Sequence, residues 1–286
     1  MLVTVTLALL SISSTFSLNH MDPDFRAWLD ANLTPDQVAA ILRDDVVTGS
    51  FGGGVVPAGT TDRPIILVHG LNNEAGNFWG IRANFTSMGF PVQRIFATTW
   101  GPGAEAFNPN IKMQCSYVQS IRNFIQVVLD YTGVPQVDVG GYSMGSPLAR
   151  KAILGGKCVD DSSVDLGPPL TDKIHTYLSV AGANQGSYLC PLFPLLLGIC
   201  DSKIGLACGI PFQSKFLKNI NTPTNYESSF KTFSIASKSD EVAGYQACGK
   251  RNGQFSNAQE TTITGYSHTE TEYNTADIQL PLYRQA

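Results

Sequence analysis

Residues 64–68 read Pro-Ile-Ile-Leu-Val, without a polar interruption, and stop at His69-Gly70. Short unbroken apolar runs of this kind suit strands covered on both faces, as in a parallel sheet. Further strands are predicted at Arg94 to Thr98, Val137 to Gly140, Ile174 to Ala181, Phe230 to Ala236 and Thr261 to Gly265, less purely apolar than the first. Between them the period changes. A helical stretch is predicted from about Phe78 to Met88. A longer amphipathic one runs from Met113 to Tyr131, where Val118, Ile121, Ile125, Val128 and Leu129 share one face and Gly133 supplies the stop. Ser146 to Leu154 reads as a further helix. Alternating strand and helix periods predict a mostly parallel central sheet with helices on both faces and right-handed crossovers.

The first 60 residues do not follow this pattern. Residues 1–17, MLVTVTLALLSISSTFS, form an apolar stretch that passes into small polar residues. It has the length of a signal-peptide core and falls short of the ~20 apolar residues of a membrane span. It lacks Lys and Arg, which is atypical, and Thr15 and Ser17 suit the −3 and −1 positions of a cleavage site. Residues 18–60 read as an N-terminal extension. Thr34-Pro35-Asp36-Gln37 is a helix start, with a capping threonine, a first-turn proline and a glutamine that completes a capping box. Ser50-Phe51-Gly52-Gly53-Gly54 ends that helix as a linker or processing region, unless the helix simply packs on the domain that follows, the reading we favour. Residues 61–286 then form the main domain.

Composition narrows the function classes. The charged fraction is 15%, below the roughly 25% usual in globular domains, and the net charge is −4. No basic patch favours nucleic acid, and no later stretch is apolar enough to make a transmembrane segment. Cys115, Cys158, Cys190, Cys200, Cys208 and Cys248 are the six cysteines. An even count behind a signal peptide predicts three disulfides in a secreted, extracellular protein, with the pairing left open. No CxxC pair supports a metal or redox site. Asn32-Leu33-Thr34 and Asn84-Phe85-Thr86 make Asn32 and Asn84 glycosylation candidates.

Candidate chemistry begins at Gly141-Tyr142-Ser143-Met144-Gly145, a G-x-S-x-G motif between a predicted strand and a predicted helix. There a serine sits on a tight, strained turn whose close backbone approach demands small neighbours. A serine hydroxyl needs a base, and the chain has four histidines. His20 lies beside the predicted cleavage site, His69 precedes the serine, and His175 opens a core strand. His268 lies in a loop past the last strand and is the candidate base. The acid is expected after the penultimate strand, where Asp240 is chosen over its neighbour Glu241 to hold the imidazole in one tautomer. The backbone N–H groups of Met144 and Leu71 are the expected oxyanion donors, with His69 shaping the latter's loop.

Several blocks in order, residues 64–70, 97–99, 141–147, 149–156 and 181–184, resemble the class 2 lipase family, in particular its secreted nematode members. The resemblance spans about residues 62–286. It implies an α/β-hydrolase fold and hydrolysis of triacylglycerols or other carboxylic esters without a cofactor, with Ser143, Asp240 and His268 as triad. Trp100 stands where a tyrosine is usual, a departure with no evident mechanistic cost. An insertion at about residues 187–225, apolar and carrying three of the cysteines, reads as a disulfide-braced lid over the acyl site or as a satellite core. The expected partners are a lipid or ester substrate and a transient lipid interface. An acyltransferase and a catalytically silent binding protein of the same fold are the alternatives.

Overall fold

The computed structural model describes residues 21–104, 108–192, 198–208, 213–222 and 224–285. The expected signal peptide, residues 1–17, lies outside them. Six strands form one sheet: β1 (Ile65–Val68), β2 (Ile95–Thr98), β3 (Val137–Tyr142), β4 (Ile174–Val180), β5 (Lys231–Ser237) and, after a short hairpin, β8 (Gln259–Ile263). Their order is β2-β1-β3-β4-β5-β8, and every neighbouring pair is parallel. The hairpin strands, β6 (Gln246–Ala247) and β7 (Lys250–Arg251), pair antiparallel apart from this sheet.

The unbroken apolar runs follow from a sheet covered on both sides. Successive residues of a strand point to opposite faces. Ile66 and Val68 of β1 enter one core with Val139 of β3 and Tyr177 of β4, while Ile65 and Leu67 enter the other with Leu178 and Val180. The first core is closed by α4 (Cys115–Thr132) and α5 (Gly145–Leu154), the second by α3 (Trp79–Ser87) and α9 (Ala276–Tyr283). α4 ends where Gly133 adopts a left-handed φ of 63°, a conformation that costs glycine no steric penalty.

Helices α1 (Pro23–Asn32) and α2 (Pro35–Leu42) pack on the first face. Phe25, Leu29, Val38, Ile41 and Leu42 share its core, and the Phe25 ring stacks on Tyr131 of α4 at 4.1 Å. The Thr34 capping box that opens α2 is formed in both directions. The chain then crosses to the second face. Ser50 and Phe51 are buried, and Phe51 pairs antiparallel with Ala97 of β2 through two backbone hydrogen bonds of 3.0 and 3.1 Å.

The six cysteines form three disulfides: Cys115–Cys158, Cys190–Cys200 and Cys208–Cys248. Among the described residues no helix is long and apolar enough to cross a membrane. Asn32 and Asn84 are exposed.

Candidate active site

The turn from β3 to α5 carries Ser143 at a left-handed φ of 48°. A non-glycine residue in this region is strained and persists where its surroundings hold it. Ser143 donates its N–H to Val180 O at 3.1 Å and accepts from Ala183 N at 3.2 Å. Small neighbours are required for a visible reason. A Cβ on Gly141 would lie 2.6 Å from Ser146 Cα, and one on Gly145 would collide with the carbonyl oxygen of His69.

Three side chains meet beyond the carboxyl ends of three parallel strands, where open α/β sheets place their ligand sites. Ser143 follows β3, Asp240 follows β5 and His268 follows β8. His268 Nε2 lies 2.9 Å from Ser143 Oγ, and Nδ1 lies 2.8 Å from Asp240 Oδ2. The other Asp240 oxygen accepts the backbone N–H groups of Val242, Ala243 and Gly244 at 2.9, 2.9 and 3.1 Å. Glu241 points elsewhere: its carboxylate accepts the backbone N–H of His268 at 3.0 Å. The two adjacent acids therefore divide the histidine, one holding its ring and the other its main chain.

His268 was expected in a loop and is instead the first residue of α8 (His268–Tyr273). Ser267 caps that helix in a reciprocal box with Glu270, so a helix start fixes the candidate base.

Electrostatics follow from this packing. Burial opposes the charge on Asp240, but the hydrogen bond from His268 and the donated N–H groups outweigh it and hold the carboxyl below its usual range. Burial also opposes a charged His268. The Asp240 hydrogen bond and the charges of Glu272, Asp240 and Glu241 prevail, so its pKa stands above the ordinary 6.5. His69 behaves oppositely. Buried, it is pushed down to about 4. Its Nδ1 meets Gly70 O at 2.7 Å, its Nε2 accepts the Trp100 N–H at 3.1 Å, and its ring stacks on Trp100 at 4.8 Å. Both ring nitrogens are thus committed to backbone groups, Nδ1 in the loop after β1 and Nε2 in the loop after β2, in a neutral tautomer. The Trp100 indole N–H also binds His69 O at 2.8 Å, so Trp100 braces the loop after β1.

A family model described as Lipase (class 2) matches residues 62–281. The chain belongs to the class 2 lipase family. It is a carboxylic ester hydrolase with an α/β-hydrolase fold. The mature form of the Bacillus licheniformis lipase BlEst2 is similar at a TM-score of 0.58 and 16% identity, over 82% of this chain and 97% of that one. Aspergillus fumigatus lipase B gives 0.53 and 14%, over 77% of this chain and 53% of the fungal one, so the class 2 lipase spans about half of that protein. At such identities the likeness concerns the fold.

Ser143 and His268 of this lipase line a cavity of about 240 Å³. Leu71, Met144, Ala183, Val242 and Ala243 form part of its wall, and Leu189, Ile199 and Leu206 come from the insertion. The insertion contains α6 (Leu189–Leu192), a 3-10 turn at Gly198–Cys200 and α7 (Lys215–Ile220). The disulfide Cys190–Cys200 joins the first two. Among the described residues, no hydrogen bond engages the N–H of Leu71 or Met144. A roomier groove of about 470 Å³ is bounded by Met21, Arg26, Leu42 and Val46, and among the described residues none that lines it is a histidine. Cys115, Cys158 and Asp160 are close enough to suggest a metal site, but the two sulfurs are bonded to each other.

Sequence reasoning missed Glu272, which also lines the cavity and is buried beside His268. The available signal was its place one helical turn after the candidate base, which was legible only once α8 was known to be a helix.

Proposed function

We propose that this protein is a secreted lipase that cleaves triacylglycerols through an acyl-enzyme on Ser143. One observation carries the reading: the unbroken hydrogen-bond chain Ser143–His268–Asp240 at the wall of a cavity to which Leu71, Leu189, Ile199 and Leu206 contribute apolar side chains. In this mechanism His268 Nε2 takes the hydroxyl proton as Ser143 Oγ bonds the ester carbonyl carbon. The carbonyl electron pair moves onto oxygen, where the N–H groups of Leu71 and Met144 receive it. Collapse of the intermediate breaks the bond to the alcohol, which leaves with the proton from Nε2. Water repeats the sequence and frees the acid. Asp240 keeps Nδ1 protonated, so that Nε2 is the basic nitrogen.

Residues 1–17 act as signal peptide in this reading, residues 18–60 as an N-terminal extension of the catalytic domain 61–286, and Asn32 and Asn84 as glycan acceptors. The three disulfides suit an oxidising compartment. Leu192 and Val242 are 64% and 42% exposed. Val242 also lines the cavity, which supports transient contact with a lipid surface.

The test is hydrolysis of p-nitrophenyl esters of short and long acyl chains by the wild type and Ser143→Ala. The variant should lose essentially all turnover, and long chains should be preferred by the wild type. Wild-type activity should fall as the medium is acidified through a midpoint above 6.5, because the raised pKa of His268 protonates the base early. Activity retained in Ser143→Ala would sink the triad. A short-chain preference would make the enzyme an esterase.

A further inference from the structure

Glu272 lies one turn beyond His268 on α8, with Oε1 4.0 Å from Nε2. It faces the imidazole nitrogen that meets Ser143, whereas Asp240 holds the opposite one. The side chain is 3% exposed. Its Oε1 is sealed from solvent and has no hydrogen-bond partner among the described residues. A buried carboxyl without a partner is costly, and an apolar side chain would fill the same space without that cost.

The surroundings leave the carboxyl one group to act on. Tyr142 and Tyr273 are its titratable neighbours on the sheet and helix sides. The Tyr142 hydroxyl is bonded to Gln279, and that of Tyr273 accepts from Asn73 at 3.0 Å. From the turn after β5, Asp240 meets the far side of the imidazole, and Glu241 is occupied by the His268 main chain. His268 is the group among these that can become a cation. Gly70 makes the approach possible: a Cβ there would lie 2.8 Å from Ser143 Cβ and 3.3 Å from Glu272 Oε1.

We infer that Glu272 is a positioning residue for the reaction, a second carboxyl on the nucleophile side of His268 that favours the imidazolium formed when Ser143 loses its proton. It neither takes nor gives a proton in the step. The proton moves from Ser143 Oγ to Nε2 and then to the leaving alcohol, while the nearby carboxylate lowers the energy of the charged ring. Burial pushes the carboxyl up to about 7, Asp240 adds to this and His268 opposes it. Around neutral pH the carboxyl is thus divided between its two forms, and the ionised form is the one that favours the charged ring.

The inference rests on the Ser143–His268 reading, and the experiment separates the two. The acid limb of kcat/KM for a soluble ester is recorded for the wild type, Glu272→Gln, Glu272→Met and Ser143→Ala, with thermal melts at each pH. Loss of the carboxylate should move the limb to lower pH by about half a unit or more and reduce the plateau about tenfold. The Tm of Glu272→Met should exceed that of the wild type. The gain should grow from about pH 4.5 to about 7, since the folded carboxyl keeps its proton up to about 7 against 4.5 for an ordinary one. A limb that stays in place in both variants overturns the inference while an inactive Ser143→Ala leaves the triad standing. A Glu272→Met protein less stable than the wild type at neutral pH makes this a packing residue and overturns it as well. Activity in Ser143→Ala removes the premise.

Discussion

Asp240 and Glu241 show how finely residue-scale chemistry is divided. Both are acids, adjacent, on the turn that follows β5, and both contact His268. Composition could not separate them, because the choice depends on which way each side chain leaves the turn. The three N–H groups collected by Asp240 Oδ1 decide it. Asp240→Asn should keep these bonds through its carbonyl oxygen and keep the Tm close to the wild-type value. Its amide would donate to Nδ1 and favour the tautomer that cannot accept the serine proton. The expected loss in kcat is about 10³–10⁴-fold, read on a soluble ester; a loss under tenfold would remove Asp240 from its role. Ser143 was legible because its backbone constraint leaves a sequence trace, the two glycines. Glu272 was not, because a lone glutamate in a polar stretch carries no trace of what covers it.

At the scale of elements, helix α5 is fixed by a buried ion pair. Arg150 is fully buried, 2.8 Å from Glu227, and also donates to Asn221 Oδ1 and Ile220 O at 3.0 and 2.9 Å. Its guanidinium lies 4.2 Å from the centre of the Phe255 ring. It thereby joins the helix behind the serine to α7 and to the segment before β5. Replacing one partner leaves an uncompensated charge, so Arg150→Met should cost ~3–5 kcal/mol and lower the Tm by about 10 °C. Arg150→Met combined with Glu227→Met should recover much of this in a thermal melt. No recovery would mean that the arginine contributes packing rather than charge. The core strands were readable because burial on both faces writes apolar runs into them. Helix α8 was not, since its six residues carry a capping box but no apolar period, nor were β6 and β7, which have two residues each.

Across the whole molecule the disulfides hold different things. Cys115–Cys158 closes 43 residues at the base of α4, and Cys208–Cys248 closes 40 between the insertion and the hairpin after Asp240. Cys190–Cys200 closes 10 residues within the insertion, next to the cavity-lining Leu189 and Ile199. Removing the first pair with Cys115→Ala and Cys158→Ala should cost ~4 kcal/mol of stability and leave acyl-chain preference unchanged. Removing Cys190 and Cys200 in the same way should cost less and change that preference, as measured on an ester series. An unchanged profile would separate the disulfide from substrate selection. The pairing was hidden in the sequence because it depends on which loops the fold brings together. That the segment before residue 60 packs on the domain was the favoured reading, but its place against α4 was not legible, since its helix starts are local while the stacking of Phe25 on Tyr131 depends on the fold.

The pairing of Phe51 with Ala97 has a consequence for the molecule among its neighbours. The sheet has two borders. β8 offers Gln259-Glu260-Thr261-Thr262-Ile263, polar and partly exposed, whereas β2 offers Ile95-Phe96-Ala97-Thr98, fully buried. A free border of the second kind would recruit strands from other chains. The segment that crosses it at Phe51 therefore guards against self-association as well as tying the first helices to the sheet, and a cut near residue 54 that released the chain before it would expose a surface able to nucleate aggregates.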